Sequence, residues 1–176
     1  LDSTDEANNV FDEIIKKVKV KIDNYKSFAN NYASEPFGGH LRSFVDSLEE
    51  LSVVREPKRL FEKIDKSKDE IKSQADNAKE LKEFIETHYS NYKTIRDFSR
   101  GNEQNFINLD ETDRQKADSL MEYFKSDNLP SNDFPKIRKI YSELEDALKD
   151  LQKELHKQVV NAYEKVYVEV DEHAKN

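Results

Sequence analysis

The 176-residue chain is long enough for one ordinary domain, or for two small lobes joined by long helices. Charged residues make up 38% and hydrophobic residues 35%, and three Gly and four Pro leave little material for the turns of an all-β fold. A net charge of -8 speaks against general nucleic-acid binding, the absence of Cys excludes disulfides, thiolate metal sites and cysteine nucleophiles, and no apolar run approaches the roughly 18 residues of a membrane span.

A mean hydropathy of -0.97 makes disorder the rival reading. It fails because the apolar residues are periodic and include 8 Tyr and 10 Phe. The opening LDSTDEANNVF has neither the basic n-region nor the apolar h-region of a signal peptide. Leu rather than Met stands first, and the expectation is a chain cut from a larger protein.

The first predicted helix covers 4–33, with Ser3 or Thr4 as cap and Asp5 and Glu6 favourable in its first turn. Phe11, Val18, Tyr25 and Tyr32 recur every seven residues, with Ile15, Ile22 and Ala29 four further on, so one face is apolar. SEPFGGH (34–40) stops this helix through Pro36, Gly38 and Gly39. A shorter helix follows over 40–54, with Leu41, Phe44, Val45, Leu48 and Leu51 on one side. Pro57 suits the first turn of a long third helix, 57–100, whose ladder is Ile64, Ile71, Ala78, Ile85 and Tyr92 and whose expected C′ residue is Gly101.

Phe106 and Leu109 pack a loop, and Asp110 caps a fourth helix over 110–127 with a face of Ala117, Leu120, Met121 and Phe124. LPSNDFP (129–135) reads as a linker. The last helix, 134–174, carries the longest stripe, from Ile137 through Leu144, Leu151 and Val159 to Val170 in steps of three or four. The steps average 3.5 residues up to Leu151 and lengthen afterwards, so the helix should coil gently and then run straight. The predicted fold is all-α: an elongated helical bundle built on an antiparallel hairpin of 57–100 and 134–174. Residues 1–56 form an N-terminal helix pair, and 57–176 form the hairpin with its short-helix connector, within a single domain of 1–176. In that register Leu148, Leu151 and Leu155 lie opposite Ile71, Ala75 and Ala78. The first helix is expected to cover Tyr163, Tyr167 and Val170.

Chemistry-bearing motifs are sparse. Gly38, Gly39 and Gly101 cannot supply GxxxxGK[ST] or GxGxxG, so a phosphate loop of either kind is excluded in this segment. His40, His88, His156 and His173 form no HExxH, and none has Glu three positions before it; all four read as surface or stripe-edge residues, with His88 half-buried. Carboxylate pairs such as Glu49/Glu50 fall on polar helix faces, where ion pairing explains them better than acid-base catalysis. KKVKVK (16–21) supplies Lys16, Lys17, Lys19 and Lys21, joined by Lys26; it is a weak candidate for contact with an anionic partner, and a solvated face is the plainer reading. Tyr89, Tyr92, Phe98, Tyr163 and Tyr167 could form a binding platform, but helix packing is the commoner use of such rings.

The order of features in the last third carries a resemblance. NFINLDETDRQKADSLMEYFKSDNLPSNDFPKIRKIYSEL, then ALKDLQKELHKQVVNAYEKV, resembles the helical part of the large P-loop ATPases of BREX-type phage-defence systems, and AKELKEFIETHYSNYKTIRDFSRGNEQNF (78–106) fits the same arrangement. The linker of that family carries a Pro-Tyr pair that LPSNDFP lacks. The resemblance, over 78–170, implies a bacterial cytoplasmic protein of a multi-protein complex whose nucleotide site lies outside this chain. No enzymatic role, cofactor, metal or small-molecule substrate is expected, and no catalytic residue is carried over. The expected function is a non-catalytic scaffold or interaction arm, contacting a protein partner or other domains of its own polypeptide. A stand-alone helical-bundle binding module is the alternative.

Overall fold

A computed structural model describes the backbone of residues 3–175 and the side chains of 4–175. Five helices follow in order: α1 (Ser3–Asn31), α2 (Gly38–Ser52), α3 (Pro57–Phe106), α4 (Glu111–Tyr123) and α5 (Pro130–Lys175), with no strand among the described residues. The all-α class and a long third helix are as the apolar pattern predicts, and that helix runs to 50 residues. The helices group into two compact units: residues 1–92 with 124–134, and residues 93–123 with 135–176.

In the first unit α1 and α2 form a helical corner. Asp5 and Glu6 lie in the first turn of α1, as expected; of the two candidate caps, Thr4 lies within the helix and the Ser3 side chain lies outside the described side chains. Val18, Tyr25 and Ala29 of α1 are buried, and the Tyr25 ring meets Phe44 of α2 edge-on at 5.2 Å. Burial and the nearby Glu83 and Glu86 carboxylates push the Tyr25 phenol above its ordinary value. The intervening turn is tight because Gly38 has no side chain: a Cβ there would stand 2.2 Å from the Tyr32 carbonyl oxygen. None of the glycines has a positive φ, so it is space rather than left-handed backbone that requires glycine at 38.

The turn drives Phe37 into an aromatic cluster, where it meets Phe84 at 6.1 Å and Tyr92 at 5.9 Å. Phe124 joins on Tyr92 at 5.1 Å and Phe134 on Phe84 at 5.3 Å. These edge-to-face rings suit the aromatic quadrupole, and each pair adds about 0.5–1.5 kcal/mol beyond the area it buries. Glu35 is buried beside them and accepts a 2.6 Å hydrogen bond from the Tyr89 hydroxyl.

In the second unit the end of α3 is longer than expected. Gly101 lies inside the helix instead of terminating it. Space is open around its Cα, and buried Phe106 anchors the extra turns. Asp110 accepts a 2.8 Å hydrogen bond from the backbone of Asp113 and caps α4, as its position predicts. Ile95, Ala117, Leu120, Ile137 and Leu144 form the core. Lys116 bonds Glu143 at 3.1 Å and Asp113 at 3.3 Å, which raises its pKa.

The register of α5 differs from the expected one. It begins at Pro130, with Pro135 inside its second turn. Phe98 meets Tyr141 at 4.9 Å, and Asn102 and Asn105 share a groove with Leu148, Leu151 and Leu155. In this unit α5 therefore follows the last turns of α3 in the same direction. The cause is α4: at 13 residues it is a full return leg, so two reversals stand between the long helices instead of one. Leu148, Leu151 and Leu155 consequently face Phe98, Asn102 and Asn105, not Ile71, Ala75 and Ala78.

Candidate interaction surface

α5 is an amphipathic helix whose apolar stripe outruns its packing. Ile137 and Leu144 are buried, Leu148 and Leu151 are half-buried, and every residue from 152 to 175 is exposed. Leu155 is 48% exposed, Val159 52%, Tyr163 75%, Val166 57% and Val170 61%. These positions extend the same helix face that is packed between Ile137 and Leu144. Tyr163, Tyr167 and Val170, for which cover is expected from the sequence, are thus exposed. A contiguous apolar run on a helix surface is uncommon and marks a contact site.

The stripe leads out of the groove at the end of α3. Its floor is Phe98, Leu148, Leu151 and Leu155; its rim is Asn102, Asn105, Asn108 and Gln152, with Glu145 and Lys149 above. The Asn102 amide donates to the Phe98 carbonyl at 2.9 Å, and the Asn105 amide to Asn102 Oδ1 at 3.2 Å. Sequence reasoning missed this groove. The signal available was Asn at 102, 105 and 108, a three-residue spacing that puts amides on one side of a helix end.

The lysine cluster takes a different form. Lys16, Lys17, Lys19 and Lys21 are exposed on α1, on both sides of buried Val18. Lys26 pairs with Glu49 of α2 at 3.2 Å. His40 makes a 2.7 Å hydrogen-bond contact with the Asp127 carbonyl and borders a polar recess with Asn77, Asn128 and Asn132. His88 is exposed rather than half-buried, its ring leaning on Phe134 at 5.4 Å, while His156 and His173 lie on the exposed length of α5. Among the described residues no group of three His, Asp or Glu is placed to hold a metal ion, and no helix is long and apolar enough to cross a membrane. The aromatic residues divide: Tyr92 is buried and Tyr89 and Phe98 are packed, but Tyr163 and Tyr167 are free of packing.

Residues 1–106 match the family described as BREX ATP-binding protein BrxC alpha helical domain. This match and the resemblance read from 78–170 share residues 78–106. Neither the curated proteins nor the solved structures give a match to the chain.

Proposed function

This chain belongs to the family of the alpha helical domain of the BREX ATP-binding protein BrxC, and from that membership we propose that it is a non-catalytic interaction arm of a cytoplasmic phage-defence ATPase. Nucleotide chemistry in this reading belongs to another part of the parent polypeptide. The helical segment supplies a contact surface. The observation that carries the proposal is the exposed stripe from Leu155 to Val170, which continues a packed helix face onto open solvent. A helix that served only to complete its own unit would gain nothing from valines and tyrosines at these positions.

Two measurements test it. The chain alone should give no heat of binding with Mg-ATP in calorimetry; tight binding would overturn the reading. In the parent protein, Val159→Glu with Val166→Glu should abolish phage defence while ATP binding persists. Defence at the unaltered level would overturn the interaction role of the stripe.

A further inference from the structure

The exposed stripe reads the same in both directions. Leu155, Val159, Ala162, Tyr163, Val166 and Val170 are arranged symmetrically about the midpoint between Ala162 and Tyr163. Reversing the helix about that point puts Leu155 level with Val170, Val159 level with Val166 and Ala162 level with Tyr163. A two-fold interface requires this relation, because residue i must meet j while j meets i. On that basis we propose that the C-terminal half of α5 pairs antiparallel with the same segment of a second copy of this chain. The inference rests on the interaction-arm reading and names its partner.

Charge selects the direction. Over 153–161, Lys153 and Lys157 outnumber Glu154, a net charge of +1. Over 164–172, Glu164, Glu169, Asp171 and Glu172 outweigh Lys165, a net charge of -3. A parallel pair sets the acidic ends against each other. An antiparallel pair sets each acidic end against the basic stretch of its partner. Size complementarity agrees at the edge of the stripe. The same register brings the partner's Ala174, a small residue, level with Leu151 at the mouth of the α3–α5 groove. The steps of four, four, three and four from Leu155 to Val170 keep the stripe nearly straight, so two such helices meet without the supercoil of a strict heptad.

Sedimentation of the 176-residue chain up to millimolar concentration should show a reversible monomer–dimer equilibrium. Val159→Glu with Val166→Glu should weaken it by at least about 100-fold, since each charge would be buried against valine. Both positions are exposed, so the monomer should keep its circular dichroism. Ile107→Glu, at an exposed apolar residue off the stripe, should leave dimerisation unchanged. Orientation is read by disulfide trapping, with no native Cys to interfere. In an antiparallel pair of Leu155→Cys chains the two introduced thiols would lie roughly 22 Å apart along the axis at 1.5 Å per residue, far beyond disulfide reach. Leu155→Cys or Val170→Cys alone should therefore not cross-link, whereas an equimolar mixture of the two should. A monomer at all concentrations, a dimer indifferent to the glutamates, or self-linking of Leu155→Cys would each overturn the proposal. A strictly monomeric chain whose glutamate variant still abolishes phage defence would overturn self-pairing and keep the interaction arm. A dimer with the stated cross-links whose disruption leaves defence intact would uphold self-pairing and refute the arm.

Discussion

Replacing Gly38 by Ala should disrupt the corner between α1 and α2, whereas the same change at Gly39 should not. An added Cβ at 38 falls 2.2 Å from the Tyr32 carbonyl oxygen and 3.2 Å from Ala33 Cα, and both neighbours are backbone that no rotamer change can move. A comfortable C···O contact is near 3.3 Å, so the turn must open by about 1 Å. The hydrogen bonds from Glu35 N to the Tyr32 carbonyl at 3.1 Å and from Gly38 N to the Glu35 carbonyl at 2.9 Å resist that opening. So do Phe37 and Leu41, which are 1% and 0% exposed. Overpacking of about 1–3 kcal/mol and one weakened hydrogen bond of about 1 kcal/mol give a loss of about 2–4 kcal/mol. At Gly39 nothing lies within 4 Å of the added atom. Ala there should stabilise the first turn of α2 by up to about 1 kcal/mol. Urea unfolding followed by far-UV circular dichroism and tyrosine fluorescence measures both. Equal stabilities for the two variants, within about 0.5 kcal/mol, would refute the steric account.

Leu144→Ala, at a fully buried site, should cost about 2–5 kcal/mol, and Leu151→Ala, half-buried, less than half of that, in the same unfolding assay. The raised pKa of Tyr25 means that its contribution is fully present below the ordinary tyrosine value of about 10 and is lost as pH rises through the folded value. Tyr25→Phe keeps the ring against Phe44, so the variant should lose less stability than the parent chain in alkaline unfolding and match its pH dependence near neutrality.

Much of the fold is legible in the sequence because heptad spacing and buried faces coincide where helices pack within a unit. Val18, Tyr25, Leu41, Leu48, Ala78, Ile85 and Tyr92 show this for α1 to α3. The pattern is silent where a residue acts through space rather than period. Glu35 is a buried carboxylate in a turn, defined by a tyrosine 54 positions away. Gly101 has the composition of a stop and is not one, because Phe106 rewards five further residues of helix. The direction of α5 escapes a periodicity argument because α4 counts as a leg of the bundle. The stripe from Ile137 to Val170 is apolar, as its spacing predicts, but is not covered along its length, as the predicted hairpin requires. Periodicity records that a face avoids water and does not say whose side chains will shield it. The lysines of α1 are exposed, which a solvated face and a contact with an anionic partner share.

The first unit is discontinuous in the chain, which bears on the order of its synthesis. Its aromatic cluster takes Phe37, Phe84 and Tyr92 from the first 92 residues and Phe124 and Phe134 from a later segment. A ribosome delivers α1, α2 and most of α3 well before those last two rings. At roughly 5–20 residues per second the nascent core waits about 2–8 s for the 42 residues that separate Tyr92 from Phe134. During that interval the faces of Phe84 and Tyr92 that will receive them stay open, a natural target for a holding chaperone. A fragment cut at residue 106, where the family match ends, would keep those faces open permanently and should be prone to aggregate, although every residue of the match is present.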